Sequence, residues 1–597
     1  MKSELSTPLD RLNKLALLGT TALIASFGAI TPAYAQDNTE VADDDEVVAT
    51  GIRQSLKTAS DLKRNADTAI DSITASDVGS LPDLSVAEAL ARVPGVVAQR
   101  FDVQNSNGGD FPSPEGGGNL IRGLTLVRSE FNGRDTFSAN GGRALDFGTV
   151  PPELIGAVDV YKNTSADLIE GGIGGTINLR TLEPFDQEGM LAQVSVDGTY
   201  TDLRDKISPE YSVILGNRWD TGGGEFGLLG SFSSSELKSE LHGFQIGQVV
   251  PFPTDAGTIG LPGGFQLRTN EVNRKRDSYY VAGQWRDSSG DLQITAKYQL
   301  IENDTDSDER TLEFFPDGES WNQFEVAGLT TTPFTSNGIP QCQGGNDGAG
   351  ICEDTQPITG LYESGIVSNN LRDWTGAAGA PFTNLGINQV DKSKTDDLSL
   401  NIKWRPTDQL YVHLDGHMMN ADFSRERLWG GTRFFSDFEL NADLDNPFIV
   451  LQPTLTNNPD RREGGGAPTN GLLSDPSNAN LLFAADEFQE NDGDMYALRA
   501  DVEYEFDNDG WFDAIKFGAR YADRDQTNRS AGLNWAAVAA PWAGGYLPYS
   551  EFDGPGAGEV VDFGGFFRGG VVRGVVKPQL SLLTVICFKT MMLGSLL

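Results

Sequence analysis

His413 and His417 are the first candidates for chemistry in this chain of 597 residues. On a helix, a spacing of four would bring both imidazoles to one metal. Here the flanking residues alternate in polarity, so the segment reads as a strand. Positions four apart on a strand share a face but stand about 13 Å apart, too far for one ion. Asp304, Asp306 and Asp308 imitate the start of a calcium loop. The sixth and twelfth places hold Glu309 and Phe315, where such a loop needs Gly and Glu, so the run reads as an acidic loop. Glu170–Asn178 (EGGIGGTIN) invites comparison with a phosphate cradle, but from Gly172 the last position of G-x-G-x-x-G is Ile177. The close-set glycines instead suit a strand that approaches neighbouring backbone. There is no H-E-x-x-H and no G-x-S-x-G. The expectation is a protein that is not an enzyme and carries no cofactor and no resident metal.

Cys342 and Cys352 lie in a polar, glycine-rich stretch without nearby histidine or CxxC spacing. In an oxidising compartment they could close a small disulfide loop, with free thiols as the alternative. The compartment is indicated by the first 35 residues. Lys2, Arg11 and Lys14 precede or flank an apolar run from Leu15 to Ile30, and Ala33-Tyr34-Ala35 forms an A-x-A site. This is the pattern of a secretory signal peptide, and the run is short for a membrane helix.

The elements that would position any site follow from composition. Only 38% of residues are hydrophobic, yet 70 are Gly and 9% are aromatic. The net charge of −40 argues against nucleic acid, whose phosphates it would repel. From Met190 onward the polarity alternates with period two. Leu292, Ile294, Ala296, Tyr298 and Leu300 alternate with Gln293, Thr295, Lys297 and Gln299. Tyr496, Leu498, Ala500, Val502, Tyr504 and Phe506 alternate with residues that are mostly polar or charged. One apolar and one polar face over about ten residues is the pattern of a membrane-barrel strand, with lipid on one side and water on the other. Nine such strands are expected near residues 190–201, 210–219, 226–237, 278–287, 292–301, 397–406, 410–421, 494–506 and 513–524. Trp219, Trp511 and Tyr411 would suit interfacial girdles. Short connections alternate with long ones at Lys238–Arg276, Asn303–Thr395 and Asp422–Asp492, as between periplasmic turns and extracellular loops. Ahead of the strands, Ser85–Val93 reads as a helix. Ser85 and Glu88 form a capping box, and Val86, Ala89, Leu90 and Val93 form an apolar face.

Glu153 to Asp186, ELIGAVDVYKNTSADLIEGGIGGTINLRTLEPFD, resembles the end of the plug domain of TonB-dependent outer-membrane receptors. VDVYKN (Val158–Asn163) and the DLIEGGIGGTINLRT run (Asp167–Thr181) carry the likeness, with LPDLSVAEALARVPGV and NLIRG (Asn119–Gly123) as further matches. The resemblance implies an α+β plug domain followed by an antiparallel transmembrane β-barrel in the outer membrane of a Gram-negative bacterium. It implies active uptake driven by the inner-membrane TonB complex. The implied divisions are 1–35 signal peptide, 36–51 leader and TonB box, 52–186 plug domain, 187–577 partial barrel and 578–597 an anomalous tail. Glu46, Val47, Val48, Ala49, Thr50 and Gly51 resemble the TonB box, a short extended segment that pairs with a partner's sheet edge. The expected partners are the TonB complex, outer-membrane lipid and a small-molecule ligand.

In such a receptor, loops at the outer end of the plug face the ligand. Asn132 and Arg134 are therefore candidate contacts, with a tight turn at FNGR as the alternative. Trp321, Trp374 and Trp429 fall in expected outer loops, where they could stack on a sugar or a catecholate or pack within their own loops. The wording VVATGIRQSL favours an oligosaccharide as cargo, with siderophore-iron or cobalamin next. A surface signalling receptor is a further alternative, but the leader is too short for a signalling domain. Nine strands are too few to close round a plug, since barrels that hold one have about 22. Pro578–Leu597 has no acidic residue and no alternation, and the last residue is Leu597 rather than an aromatic. The expectation is a truncated or frame-shifted chain, a fragment without function being the third reading.

Overall fold

The structure is a computed structural model. It describes residues 63–64, 66, 68–74, 84–100, 115–116, 118–140, 144–247, 249–314, 324–342, 352–369, 380–442, 447–452, 480–507, 513–537, 559–562, 566–568 and 579–582. The signal peptide, the segment Glu46–Gly51, Trp321, Trp374 and Trp511 lie outside them.

The plug begins with β1 (Ile70–Thr74), α1 (Val86–Leu90), β2 (Val96–Gln99), β3 (Gly118–Ile121), β4 (Val127–Phe131), β5 (Arg134–Asp135), β6 (Ile155–Tyr161) and β7 (Gly175–Thr181). Five of the strands form one mixed sheet in the order β1-β6-β7-β4-β5, with β4 and β7 parallel. The short helix buries Val86, Ala89 and Leu90, the expected face. Its cap differs from the expectation. Ser85 is the N-cap residue but makes no side-chain bond, and its buried Oγ has no partner. Glu88 instead accepts from the Leu84 N–H at 3.0 Å and pairs with Arg100. The carboxylate therefore reaches one residue further back than the capping box requires, where it can also meet a cation.

The glycines after β6 close the plug. Gly175 has φ +148°, and a Cβ there would stand 2.5 Å from the Tyr161 carbonyl oxygen. A Cβ on Gly172 would stand 2.4 Å from the Gly175 oxygen. Close backbone approach, not phosphate binding, explains this run. The core holds Val86, Leu90, Ile121, Phe131, Val158, Val160, Ile177 and Leu179. Each fully buried aliphatic side chain contributes about 1.5–3 kcal/mol.

Beyond the plug come β8 (Leu191–Thr201), β9 (Lys206–Thr221), β10 (Gly224–Ile246), β11 (Val249–Thr254), β12 (Gly257–Pro262), β13 (Phe265–Arg286), β14 (Leu292–Phe314), β15 (Phe324–Cys342), β16 (Cys352–Asn369), β17 (Ala380–Thr407), β18 (Leu410–Asn441), β19 (Phe448–Gln452), β20 (Asn480–Glu505) and β21 (Ala514–Ala537). A short pair, β22 (Glu559–Asp562) and β23 (Gln579–Leu582), follows, so the start of the tail is paired strand. The nine expected strands are β8, β9, β10, β13, β14, β17, β18, β20 and β21. They form one antiparallel meander in that order, referred to below as the wall. Among the described residues, β8 and β21 have one neighbour each.

Two adjacent rows across the wall show how sequence becomes architecture. Val281, Tyr298, Leu398, Met418 and Tyr496 are successive register partners and are 40–62% exposed. One residue away, Leu229, Ala282, Lys297, Ser399, His417 and Ala497 are also successive partners and at most 5% exposed. The outer face is apolar and bare. The inner face is mixed and covered by the plug. This inversion is the lipid-facing solution for a barrel wall. Aromatics bound the outer band at both ends. Trp219 stacks on Phe226 at 5.9 Å near the short turns, and Phe232 meets Tyr279 at 5.2 Å toward the long connections. Tyr411 departs from the expected girdle. It shares the inward parity of His413 and Asp415.

The expected long loops are largely strand. β14 runs on to Phe314, β18 to Asn441, and β20 starts at Asn480. Asp304, Asp306 and Asp308 therefore project from one face of β14 rather than from a loop. Beyond the bilayer both faces meet water or protein, so alternation fades although pairing continues. At this far end Phe265, Phe314, Phe382, Phe434 and Phe438 form a second apolar cluster with Leu261, Tyr362, Ile449 and Phe566. Phe314 and Phe438 lie 4.9 Å apart.

Candidate functional site: the plug seam and the wall above it

The turn between β4 and β5 is where the plug meets the wall most tightly. Asn132 (φ +53°) and Gly133 (φ +77°) both take left-handed backbone, which makes a two-residue hairpin turn. Asn132 is fixed by Thr181, whose N–H donates to its Oδ1 at 3.1 Å, and the Gly133 N–H donates to Asn178 Oδ1 at 2.8 Å. The turn delivers Arg134 to β18. Its Nε and Nη2 each donate to the Asp415 carboxylate at 2.8 Å, and Asn401 donates to the same carboxylate at 2.7 Å. Arg134 is buried. The structure thus places both expected plug contacts in a turn locked to the wall.

The seam continues along the inner face. Tyr280 donates to the Leu182 carbonyl at 2.7 Å, Gln284 donates to Glu183 at 2.6 Å, and Lys297 pairs with Glu183 at 2.5 Å. Burial alone would raise the Glu183 carboxyl, but Lys297 holds it below its ordinary value. Arg276 is fully buried. It donates to the Leu84 carbonyl at 3.0 Å and to the Gly148 carbonyl, and it faces Glu115, which also pairs with Arg274. Asn491 of β20 donates to the Ala139 carbonyl at 2.6 Å, and the Arg524 guanidinium lies 3.6 Å over the Phe137 ring. Inside the plug, burial pushes the Glu130 carboxyl up to about 7, although Arg128 lies 3.7 Å away.

Above the seam, the inward face of β18 carries Arg425, Arg427, Trp429 and Arg433. Arg425 makes a two-pronged pair with Asp391 at 2.8 and 2.7 Å. Arg427 pairs with Glu487 at 3.6 Å and lies 4.5 Å over the Trp429 ring. The Trp429 indole N–H is buried without an acceptor. Of the three tryptophans singled out as ligand contacts, Trp429 alone lies among the described residues, in β18 rather than in a loop. His417 is buried on the inner face, and His413 contacts Asn401. Among the described residues no group of His, Cys, Asp and Glu could hold a metal ion. Cys342 and Cys352 are register partners across β15 and β16. Sequence reasoning missed Asp415 and the β18 arginines. A lone carboxylate 281 residues from its arginine leaves no local signal.

Residues 62–176 match the family described as TonB-dependent Receptor Plug Domain. A search of curated proteins finds no match. Among solved structures, the chain is similar to a mutant of the ferric enterobactin receptor PfeA from Pseudomonas aeruginosa, at 12% identity over 74% of this chain and 72% of that one, TM-score 0.25. It is similar to the siderophore receptor PirA from Acinetobacter baumannii, at 10% identity over 78% of each chain, TM-score 0.24. It is also similar to the pyoverdine receptor FpvA from Pseudomonas aeruginosa, at 9% identity over 80% and 88%, TM-score 0.25. The assignment rests on the plug. With that domain seated against a wall that is apolar outside and mixed inside, the chain carries the plug domain of a TonB-dependent receptor, a family of transporters of the Gram-negative outer membrane.

Proposed function

We propose that this receptor takes up a ferric siderophore, with the β18 stripe as the cargo-facing part of its wall. The observation that carries the reading is the convergence of Arg425, Arg427 and Arg433 on one inward face above the plug. Guanidinium forks suit the dense oxygen shell of an iron chelate. An oligosaccharide is the second reading, and Trp429 supports it, because a flat ring with an unused donor suits a sugar face. Glu46–Gly51 is the handle for TonB. Among the described residues the first strand that follows it in sequence is β1, whose one sheet neighbour there is β6, so tension on the handle would reach an edge strand first. The register of Cys342 and Cys352 supports a disulfide that staples the β15–β16 hairpin, since directly opposed strand positions lie within disulfide reach.

The test uses the full chain. Ferric siderophores and neutral oligosaccharides are titrated against it while tryptophan fluorescence is followed, and uptake is measured in cells. Arg425→Gln with Arg427→Gln should weaken siderophore binding at least tenfold. Tight binding of a sugar, unaffected by that pair, would move the assignment to the second reading. Val48→Pro removes a pairing N–H and should abolish uptake with ligand binding unchanged; continued uptake would refute the handle.

A further inference from the structure

We propose that Glu115 of the plug is a detachable counter-ion for two arginines of the wall, and that anionic cargo loosens the segment before β3 by taking its place. This rests on the reading of the cargo as an anionic chelate. Three arginines of the inner face pair with carboxylates of the wall itself. Arg268 meets Glu309 at 2.7 Å, Arg425 meets Asp391 at 2.7 Å and Arg427 meets Glu487 at 3.6 Å. Arg274 and Arg276 on β13 differ. The carboxylate that both of them meet is Glu115, which belongs to the plug. Its Oε1 accepts from Arg274 Nη2 at 2.6 Å, and its Oε2 accepts from Arg276 Nη2 at 3.4 Å. Glu153, Glu210, Asp146 and Glu88 also act on Arg276 through space, and of these only Glu210 is a wall residue. The plug therefore supplies most of the negative charge that two guanidiniums set back from solvent require.

The attachment is made to swing. Residues 116–118 are all Gly, and Gly116 takes φ +79°, backbone that favours glycine. Beyond them, among the described residues, β3 pairs with β2 alone and stands apart from the five-stranded sheet. Glu115 can leave Arg274 while that sheet keeps its register. Arg274 is also in line with the cargo stripe. Arg274, Thr305, Asp391 and Arg425 are successive register partners across β13, β14, β17 and β18. Three strand spacings separate the two arginines, about 14 Å. One chelate lying between their side chains meets both. Its several negative oxygens outcompete a single carboxylate for Arg274, and Glu115 is set free. Arg276 keeps its bonds to the Leu84 and Gly148 carbonyls, so the rest of the plug stays seated. Because the two anions compete, cargo loosens Glu115 by the same factor by which Glu115 weakens cargo.

The experiment uses the purified full chain in neutral detergent, with an iron(III) tris-catecholate as the anionic probe and a neutral oligosaccharide as control. Probe binding is followed by tryptophan fluorescence, and amide hydrogen exchange is read over residues 115–121 and 155–161. Without probe, Glu115→Gln should raise exchange severalfold over 115–121 and leave 155–161 unchanged. The probe should produce the same rise in the unaltered chain and none beyond it in Glu115→Gln. Glu115→Gln should bind the probe about tenfold more tightly, Arg274→Gln about tenfold more weakly, and Glu115→Asp, which keeps the charge, as the unaltered chain does. A carboxylate with a purely structural role would loosen the plug when removed but would not tighten binding. Anion binding that Glu115→Gln leaves unchanged or weakens overturns this proposal alone. A chain that binds the neutral sugar and no anion overturns it together with the reading beneath it.

Discussion

The plug and the wall solve opposite problems with the same backbone. The plug hides apolar side chains such as Ile177 and Leu179 in its core. The wall leaves Leu398, Met418 and Leu498 bare and hides Lys297, Ser399 and His417. The difference is the solvent on each side, lipid for one surface and protein or water for the other. Where the two regions meet, Ile214, Leu229, Ala282 and Ile301 of the wall join the plug's apolar core, and charge pairs such as Arg134 with Asp415 are added to that packing.

The contrast can be broken most severely from inside the plug. Ile177→Asp buries a carboxylate with no partner and should cost about 4–5 kcal/mol, the upper range for single substitutions. Limited proteolysis should then cut residues 70–181 while the wall stays protected. Arg134→Ala comes next. It strands the Asp415 carboxylate and should cost about 3–5 kcal/mol of plug–wall stability, read by denaturant release of the plug. Adding Asp415→Ala should recover most of that loss, and a double variant no better than the single one would show that the pair does not act as a unit. Leu498→Arg tests the other surface. A cation in the lipid band should cost about 2–4 kcal/mol in a bilayer, and the comparison fails if the loss is as large in detergent as in lipid.

The smallest effect is set by pH. Glu130 holds its proton to about 7 in the folded plug, above the ordinary carboxyl value. The folded state therefore binds that proton more tightly than the unfolded state does. Its contribution favours the plug fully below the ordinary carboxyl range and is lost as pH rises through about 7. Plug stability should fall between pH 5 and pH 8, and Glu130→Gln should flatten that slope. A slope unchanged by the substitution would assign it to other groups.

Period-two runs such as Leu292–Leu300 made the wall strands legible, because lipid on one face and protein on the other impose alternation. The glycines at 171–175 pointed to close approach for the same local reason. The extensions beyond the bilayer were not legible. In β14, Asn303–Arg310 is polar on both faces, so nothing in composition separates strand from loop there. The seam was legible only in part. FNGR announced a turn, but its target on β18 could be found only by folding. The arginines of β18 were hidden likewise, since their common face depends on a strand that the sequence appeared to end at residue 421.

Among the described residues, the far aromatic cluster around Phe314 and Phe438 includes none from the plug. Whatever displaces the floor of this receptor leaves its rim standing. The mouth can therefore keep its shape through each cycle of delivery and be ready for the next molecule while the passage beneath is still closing.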